Sequence, residues 1–233
     1  MRGFQQTNSF LTVGLMYILF TLGLATFRPN GLVFEWDIPA APPSRSIDQE
    51  YPDLREFVEA VRDGKADQIQ GVYVPEVFAL PVIQQPKNNA IYVSNKRGRL
   101  TQFRKAAENG VTGLLAHNYL SGELFYRLTP RQELMVVFGD GTLQRYQVTK
   151  IWQYQKLEAT RLRSDFVDLS SGQKFTSGQI FDHFYRGEHR LIFQTCLEAN
   201  GILDWGLTFV VAVPVDKPIK DLTSPTGGSA AGG

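Results

Sequence analysis

Eight short runs between Gln70 and Val213 favour strands, and little between them favours helices. They are Gln70–Val74, Val77–Val82, Ala90–Ser94, Gly113–His117, Glu133–Phe138, Leu143–Ile151, Arg190–Thr195 and Thr208–Val213. Most are rich in Val, Ile, Tyr and Phe, whose branched or aromatic side chains suit a pleated, half-buried surface. Asp140-Gly141 lies between two of them and signals a two-residue hairpin. Leu54, Phe57, Val58 and Val61 fall at i, i+3, i+4 and i+7, which predicts a short amphipathic helix ending before Gly64. Thr176-x-x-Gln179 is a capping-box pattern. It predicts a second helix over Gly178–Tyr185, with Ile180, Phe181 and Phe184 as its apolar stripe and Gly187 as its stop. A third helical piece is predicted over Thr101–Asn109. Many strands with few helices predict a mainly β fold, a closed or nearly closed barrel rather than a βαβ sheet.

The flanks differ from this domain in composition. Residues 3–27 carry no charge, and Phe10–Phe27 is an almost purely apolar run of 18 residues. As a helix that run spans roughly 27 Å, close to the thickness of a bilayer core. Residues 1–28 therefore read as a membrane anchor. Gly23-Leu24-Ala25 keeps a cleaved signal peptide open, although the run exceeds the usual apolar region of about 7–15 residues. Either reading exports the domain, and the anchor reading holds it outside the cytoplasm at the plasma membrane. Residues 29–50 form a Pro-rich linker, with Pro29, Pro39, Pro42 and Pro43. Residues 216–233 read as a flexible tail ending in Gly, Ser and Ala. Residues 51–215 remain as one domain large enough for a core.

Charge and cysteine content narrow the function. The chain has 24 Lys+Arg against 23 Asp+Glu, a formal charge of +1, which argues against a nucleic-acid partner. A single cysteine, Cys196, excludes an internal disulfide and a Cys-rich zinc site. The three histidines are His117, His183 and His189. His183 falls on the second predicted helix and reads as a partly exposed helix residue, and His189, in a loop beside Glu188, reads as a solvated one. No pair has metal-binding helical spacing, and no cofactor is indicated. Glu76, Glu123 and Asp140 are acidic loop residues without a calcium-ligand cluster. His117 and Cys196 each end a strand run. An imidazole there can move protons near neutral pH, and a thiol there can act as a nucleophile. A buried inert thiol is the alternative reading of Cys196.

Three segments carry a resemblance. Ala116-His117-Asn118, Ile192-Phe193-Gln194-Thr195-Cys196 and Asp204-Trp205-Gly206-Leu207-Thr208-Phe209-Val210-Val211-Ala212 look like the sortase family, in that order. Val137-Phe138-Gly139-Asp140-Gly141 and Tyr146-Gln147-Val148 resemble the hairpin in the middle of that domain. The resemblance implies a sortase-like eight-stranded β-barrel with short helices, preceded by an N-terminal transmembrane helix. It also implies a cysteine transpeptidase or peptidase that cuts a sorting-signal peptide of the Leu-Pro-x-Thr-Gly type. The acyl group would then pass from a thioester to an amine, such as a cell-wall precursor or a pilin lysine. Carried over by residue, Cys196 is the nucleophile and His117 the proton donor and acceptor. Thr195 and Asn118 fall at oxyanion or substrate-positioning places, and Ala116, Ile192 and Leu207 at substrate-binding ones.

One departure bears on activity. The family pattern Trp-Gly-Arg-x-Phe-Val reads Trp205-Gly206-Leu207-Thr208-Phe209-Val210 here, so Leu207 stands in the arginine place. Loss of one charge-stabilising donor at a reacting oxygen costs roughly 10²–10³ in rate. Arg163, Arg186 and Arg190 are the arginines nearest in sequence to the relevant loops. A second reading therefore stands beside the first: a catalytically impaired sortase-like surface protein that binds peptide without efficient turnover.

Overall fold

The computed structural model describes residues 52–158, 161 and 164–215. The apolar run, the Pro-rich linker and the C-terminal tail lie outside the described residues. Among those described, no helix is long and apolar enough to cross a membrane.

Ten strands follow one helix. Helix α1 (Leu54–Val61) starts at Asp53, whose carboxylate accepts the Arg55 N–H at 2.8 Å. It buries Phe57 and Val58 against Val137 and Leu143. The strands are β1 (Ile69–Val74), β2 (Phe78–Gln84), β3 (Leu100–Phe103), β4 (Thr112–Leu115), β5 (Glu133–Phe138), β6 (Leu143–Lys156), β7 (Phe166–Asp168), β8 (Lys174–Phe175), β9 (Leu191–Ala199) and β10 (Ile202–Pro214). Helix α2 (Arg104–Ala107) follows β3, and α3 (Ser177–Tyr185) precedes β9. Hydrogen bonding runs β10-β9-β4-β3-β2-β1-β5-β6, and β6 returns to β10. Eight strands thus close on themselves, leaving no free edge among them. Strands β7 and β8 extend the sheet from the far end of β6.

Alternation along the strands divides the apolar residues between two layers. Leu114, Leu191, Phe193, Val210 and Ala212 point into the barrel with Val72, Leu134 and Tyr146. Ile192, Phe209 and Val211 point outward, where Ile180, Phe184 and Tyr185 of α3 cover them. The Phe184 and Phe209 rings lie 3.9 Å apart and nearly parallel. This outer layer ends at the candidate site.

Most of the expected elements are present. Both α1 and α3 fall where the periodicity placed them, and Thr176 and Gln179 form the capping box reciprocally. Four of the expected features differ, and β7 and β8 were not among the expected strands. Ala90–Ser94 is not a strand: the Gln85 side-chain amide donates to the carbonyls of Ala90 at 3.1 Å and Tyr92 at 2.9 Å. A side chain there replaces the neighbouring strand. The helix expected over Thr101–Asn109 is divided, because Thr101, Gln102 and Phe103 pair with Leu115, Leu114 and Gly113. Only Arg104–Ala107 remains helical. The β5–β6 loop is longer than two residues. Phe138 N–H bonds to the Thr142 carbonyl and Gly141 N–H to the Phe138 carbonyl, both at 2.9 Å, with Gly141 at φ +89°. This is the three-residue loop that needs glycine at its left-handed position. Finally, β6, β9 and β10 each run several residues beyond their expected limits.

Candidate active site

The site is a row across four adjacent strands. Leu115 of β4 pairs with Gln194 of β9 in parallel register. Extending that register by two residues brings His117 beside Cys196. The strands stay together there: Ala116 N–H bonds to the Gln194 carbonyl at 3.3 Å, and the Thr195 hydroxyl donates to the Ala116 carbonyl at 2.9 Å. On the other side of β9, Cys196 pairs with Leu207 of β10, and Leu207 pairs with Tyr154 of β6. His117, Cys196, Leu207 and Tyr154 therefore occupy neighbouring places on the outer face, with strands spaced about 4.8 Å.

A cleft of about 260 Å³ opens over this row. Val93, Ala116, His117, Lys156, Cys196 and Leu207 contribute to its wall, with Leu115, Phe166, Gln194 and Thr195. The wall is mainly apolar, with a thiol, an imidazole and an ammonium as its chemistry. Lys156 Nζ lies 3.2 Å from an Asp204 carboxylate oxygen; the lysine side chain is 11% exposed and the aspartate 50%. Burial pushes the Cys196 thiol above its ordinary range. Lys156 opposes that shift and Asp204 adds to it.

Neighbouring groups fix the His117 and Cys196 segments. The Tyr119 ring stacks on His117 with centroids 5.1 Å apart and planes inclined by 19°. Asn118 donates to the Leu203 carbonyl at 2.8 Å, tying the His117 segment to the start of β10. The Tyr126 hydroxyl, from a 3-10 segment (Ser121–Arg127), donates to the Cys196 carbonyl. Gly122 of the same segment donates its N–H to the His117 carbonyl at 2.9 Å.

The expected site residues divide into three groups. Cys196, His117, Ala116 and Leu207 line one cleft. Thr195 also borders it, but its side chain is turned away and hydrogen-bonded to Ala116, with the residue only 2% exposed. Asn118 acts on the backbone beside the cleft. Ile192 is fully buried in the layer under α3 and does not reach the cleft wall. Two of the three arginines fall elsewhere. Arg190 precedes Cys196 by six residues, about 20 Å along a strand, and donates to the His183 and Arg186 carbonyls. Arg186 pairs with Asp182 at 2.9 Å. Arg163 lies outside the described residues.

The remaining histidines and acids also have places of their own. His189 is not merely solvated. Its ring nitrogens lie 2.8 Å from the Tyr146 hydroxyl and 2.9 Å from the Gly110 carbonyl. His183 sits edge-on to Trp152, with centroids 5.3 Å apart. Glu123 pairs with Arg97, and Asp140 accepts from Thr142 at 2.8 Å. Among the described residues, no group of three or more His, Cys, Asp or Glu side chains is placed to hold a metal ion. Lys156, Phe166 and Val93 were not singled out by sequence. Lys156 carried one usable signal, a charge ending a strand whose preceding alternate residues, Trp152 and Tyr154, are aromatic.

No protein-family model matches the chain, and no curated protein matches it. Solved structures do. Sortases are among the solved structures it resembles. Sortase A from Listeria monocytogenes aligns at 14% identity and a TM-score of 0.41, over 64% of this chain and 89% of that one. Sortase C-1 from Actinomyces oris aligns at 11% and 0.43, over 73% and 85%. The Clostridium perfringens Sortase D5 transpeptidase aligns at 12% and 0.42, over 71% and 90%.

Proposed function

We propose that this chain is a sortase-like cysteine transpeptidase that cleaves a sorting-signal peptide through a Cys196 thioacyl intermediate. One observation carries the reading: Cys196 within β9 and His117, two residues past the end of the parallel strand β4, front the same cleft. The apolar wall of Val93, Ala116, Phe166 and Leu207 suits the non-polar part of an extended peptide.

The chemistry follows from those two side chains. His117 takes the Cys196 thiol proton, and the thiolate attacks a backbone carbonyl carbon as the C=O electron pair moves onto oxygen. Collapse of that adduct breaks the C–N bond, and His117 protonates the departing amine. The resulting thioester is reactive towards an incoming amine, from which His117 takes a proton. The new amide forms as the thiolate leaves. Water in place of the amine would make the same site a peptidase. The apolar run Phe10–Phe27 supports an anchor over residues 1–28 at the plasma membrane with the domain outside the cytoplasm. There it would meet a sorting peptide and an amine such as a cell-wall precursor or pilin lysine.

Incubation of the full chain with sorting-type peptides and an amine tests this reading. The expected result is a Cys196-dependent transfer product by mass spectrometry. Its absence across a Leu-Pro-x-Thr-Gly-type library sinks the enzymatic reading. A second reading rests on Leu207 standing opposite Cys196: a peptide-binding protein without efficient turnover. Peptide affinity that survives Cys196→Ala, with no turnover by the parent chain, supports it.

A further inference from the structure

We propose that Lys156 is the cation that stabilises the oxyanion in this cleft, acting from β6 in the place of a charge at position 207. The inference rests on the transpeptidase reading above. Register supplies the geometry. Leu207 pairs with Tyr154, and Lys156 lies two residues further along β6 on the same face. A diagonal neighbour at that offset is about 7–8 Å away, within reach of a long side chain. The four-carbon stem of lysine is flexible enough to direct its ammonium towards the Cys196 side of the row. Lys156, Cys196 and His117 all border the same cleft.

Burial adds a second argument. The Lys156 side chain is 11% exposed, and its ionic partner Asp204 is half in solvent. Taking an ammonium out of water needs compensation, and one half-solvated carboxylate supplies only part of it. An oxyanion forming at the Cys196 adduct supplies the rest at the step where stabilisation accelerates the reaction. Two other cations are committed elsewhere. Arg97 is held by Glu123 and the Tyr119 carbonyl, and Arg186 by Asp182.

In the proposed step, Cys196 Sγ bonds to the carbonyl carbon, and the former π pair resides on oxygen. Lys156 Nζ–H donates to that oxygen without transferring its proton. When the C–N bond breaks, the pair on oxygen restores C=O, and the amine leaves with a proton from His117. Lysine contributes only charge and a hydrogen bond.

The test uses the full chain with a Leu-Pro-x-Thr-Gly-type peptide library and hydroxylamine as acceptor. Lys156→Met is expected to lose roughly 10²–10³-fold in kcat/KM, mainly in kcat. Lys156→Arg is expected to stay within about tenfold of the parent, and Lys156→Met/Leu207→Arg to recover at least about tenfold over Lys156→Met. Iodoacetamide labelling of Cys196 should move to higher pH in Lys156→Met. Parent-like turnover with unshifted labelling in Lys156→Met overturns the role of Lys156 and leaves the transpeptidase reading intact. Loss in Lys156→Met that neither arginine variant repairs, with altered circular dichroism, also overturns it as a structural effect. A parent chain that transfers nothing sinks the transpeptidase reading, and this inference with it.

Discussion

Leu207 is the cross-strand partner of Cys196. An apolar side chain therefore flanks the thiol on one side, while His117 flanks it on the other. That asymmetry separates proton transfer from charge stabilisation. The imidazole can serve the thiol and the leaving amine, but Leu207 can offer neither charge nor a hydrogen bond.

Removing the proton carrier should therefore isolate its share of the chemistry. His117→Ala is expected to lower acyl transfer by roughly 10²–10⁴-fold. The Tyr119 ring loses its stacking partner, yet the barrel core does not involve either ring. Single-turnover rates, with circular dichroism unchanged from the parent, measure the effect. A change below threefold would remove His117 from the mechanism.

The thiol should titrate late in the absence of substrate. Burial is the largest influence on Cys196 and raises its pKa, because a thiolate is poorly solvated there. Below that raised pKa the thiol stays protonated, so labelling by iodoacetamide should be slow near neutral pH. It should accelerate as pH rises through and beyond the ordinary thiol range. Fast labelling already at pH 6 would show a stabilised thiolate and contradict this picture.

Gly122 should be sensitive for reasons of space. A Cβ at this position would come within 2.7 Å of the His117 carbonyl oxygen and 2.8 Å of the Ala116 carbonyl oxygen, and would also meet the Thr195 hydroxyl. Gly122→Ala must displace the segment that carries His117, so it should reduce turnover at least about tenfold. Comparing turnover with urea stability distinguishes displacement from unfolding. Wild-type turnover in Gly122→Ala would show that the His117 segment tolerates the shift.

The layer beneath α3 should dominate stability near the site. Phe184 is 1% exposed and stacks on Phe209, so Phe184→Ala should cost about 3–5 kcal/mol. Thr176→Ala removes only a cap and should cost about 1 kcal/mol. Urea midpoints order the two. A Phe184→Ala cost under about 1 kcal/mol would mean that α3 is not held by that contact.

Sequence reasoning reached what depends on local pattern. The period of Leu54, Phe57, Val58 and Val61 and the cap at Thr176 are written in adjacent residues, and both helices followed. The placement of His117 and Cys196 at strand ends was legible only in part: His117 follows the end of β4 by two residues, but Cys196 lies inside β9, which runs on to Ala199 because β10 pairs with it there. What escaped depends on pairing between distant segments. Thr101–Phe103 is a strand because Gly113–Leu115 lies beside it, and Ala90–Ser94 is not one because Gln85 takes its carbonyls. Lys156 was missed for the same reason. Only the register of β6 on β10 brings it near the thiol, across forty residues of chain.

The central claim is that Cys196 forms an acyl bond with a peptide. The direct measurement is the intact mass of the full chain, acid-quenched during reaction with a sorting-type peptide library. The account requires added mass equal to the N-terminal acyl fragment, located on Cys196, absent in Cys196→Ala and discharged by hydroxylamine. An unmodified chain with every peptide intact would contradict it.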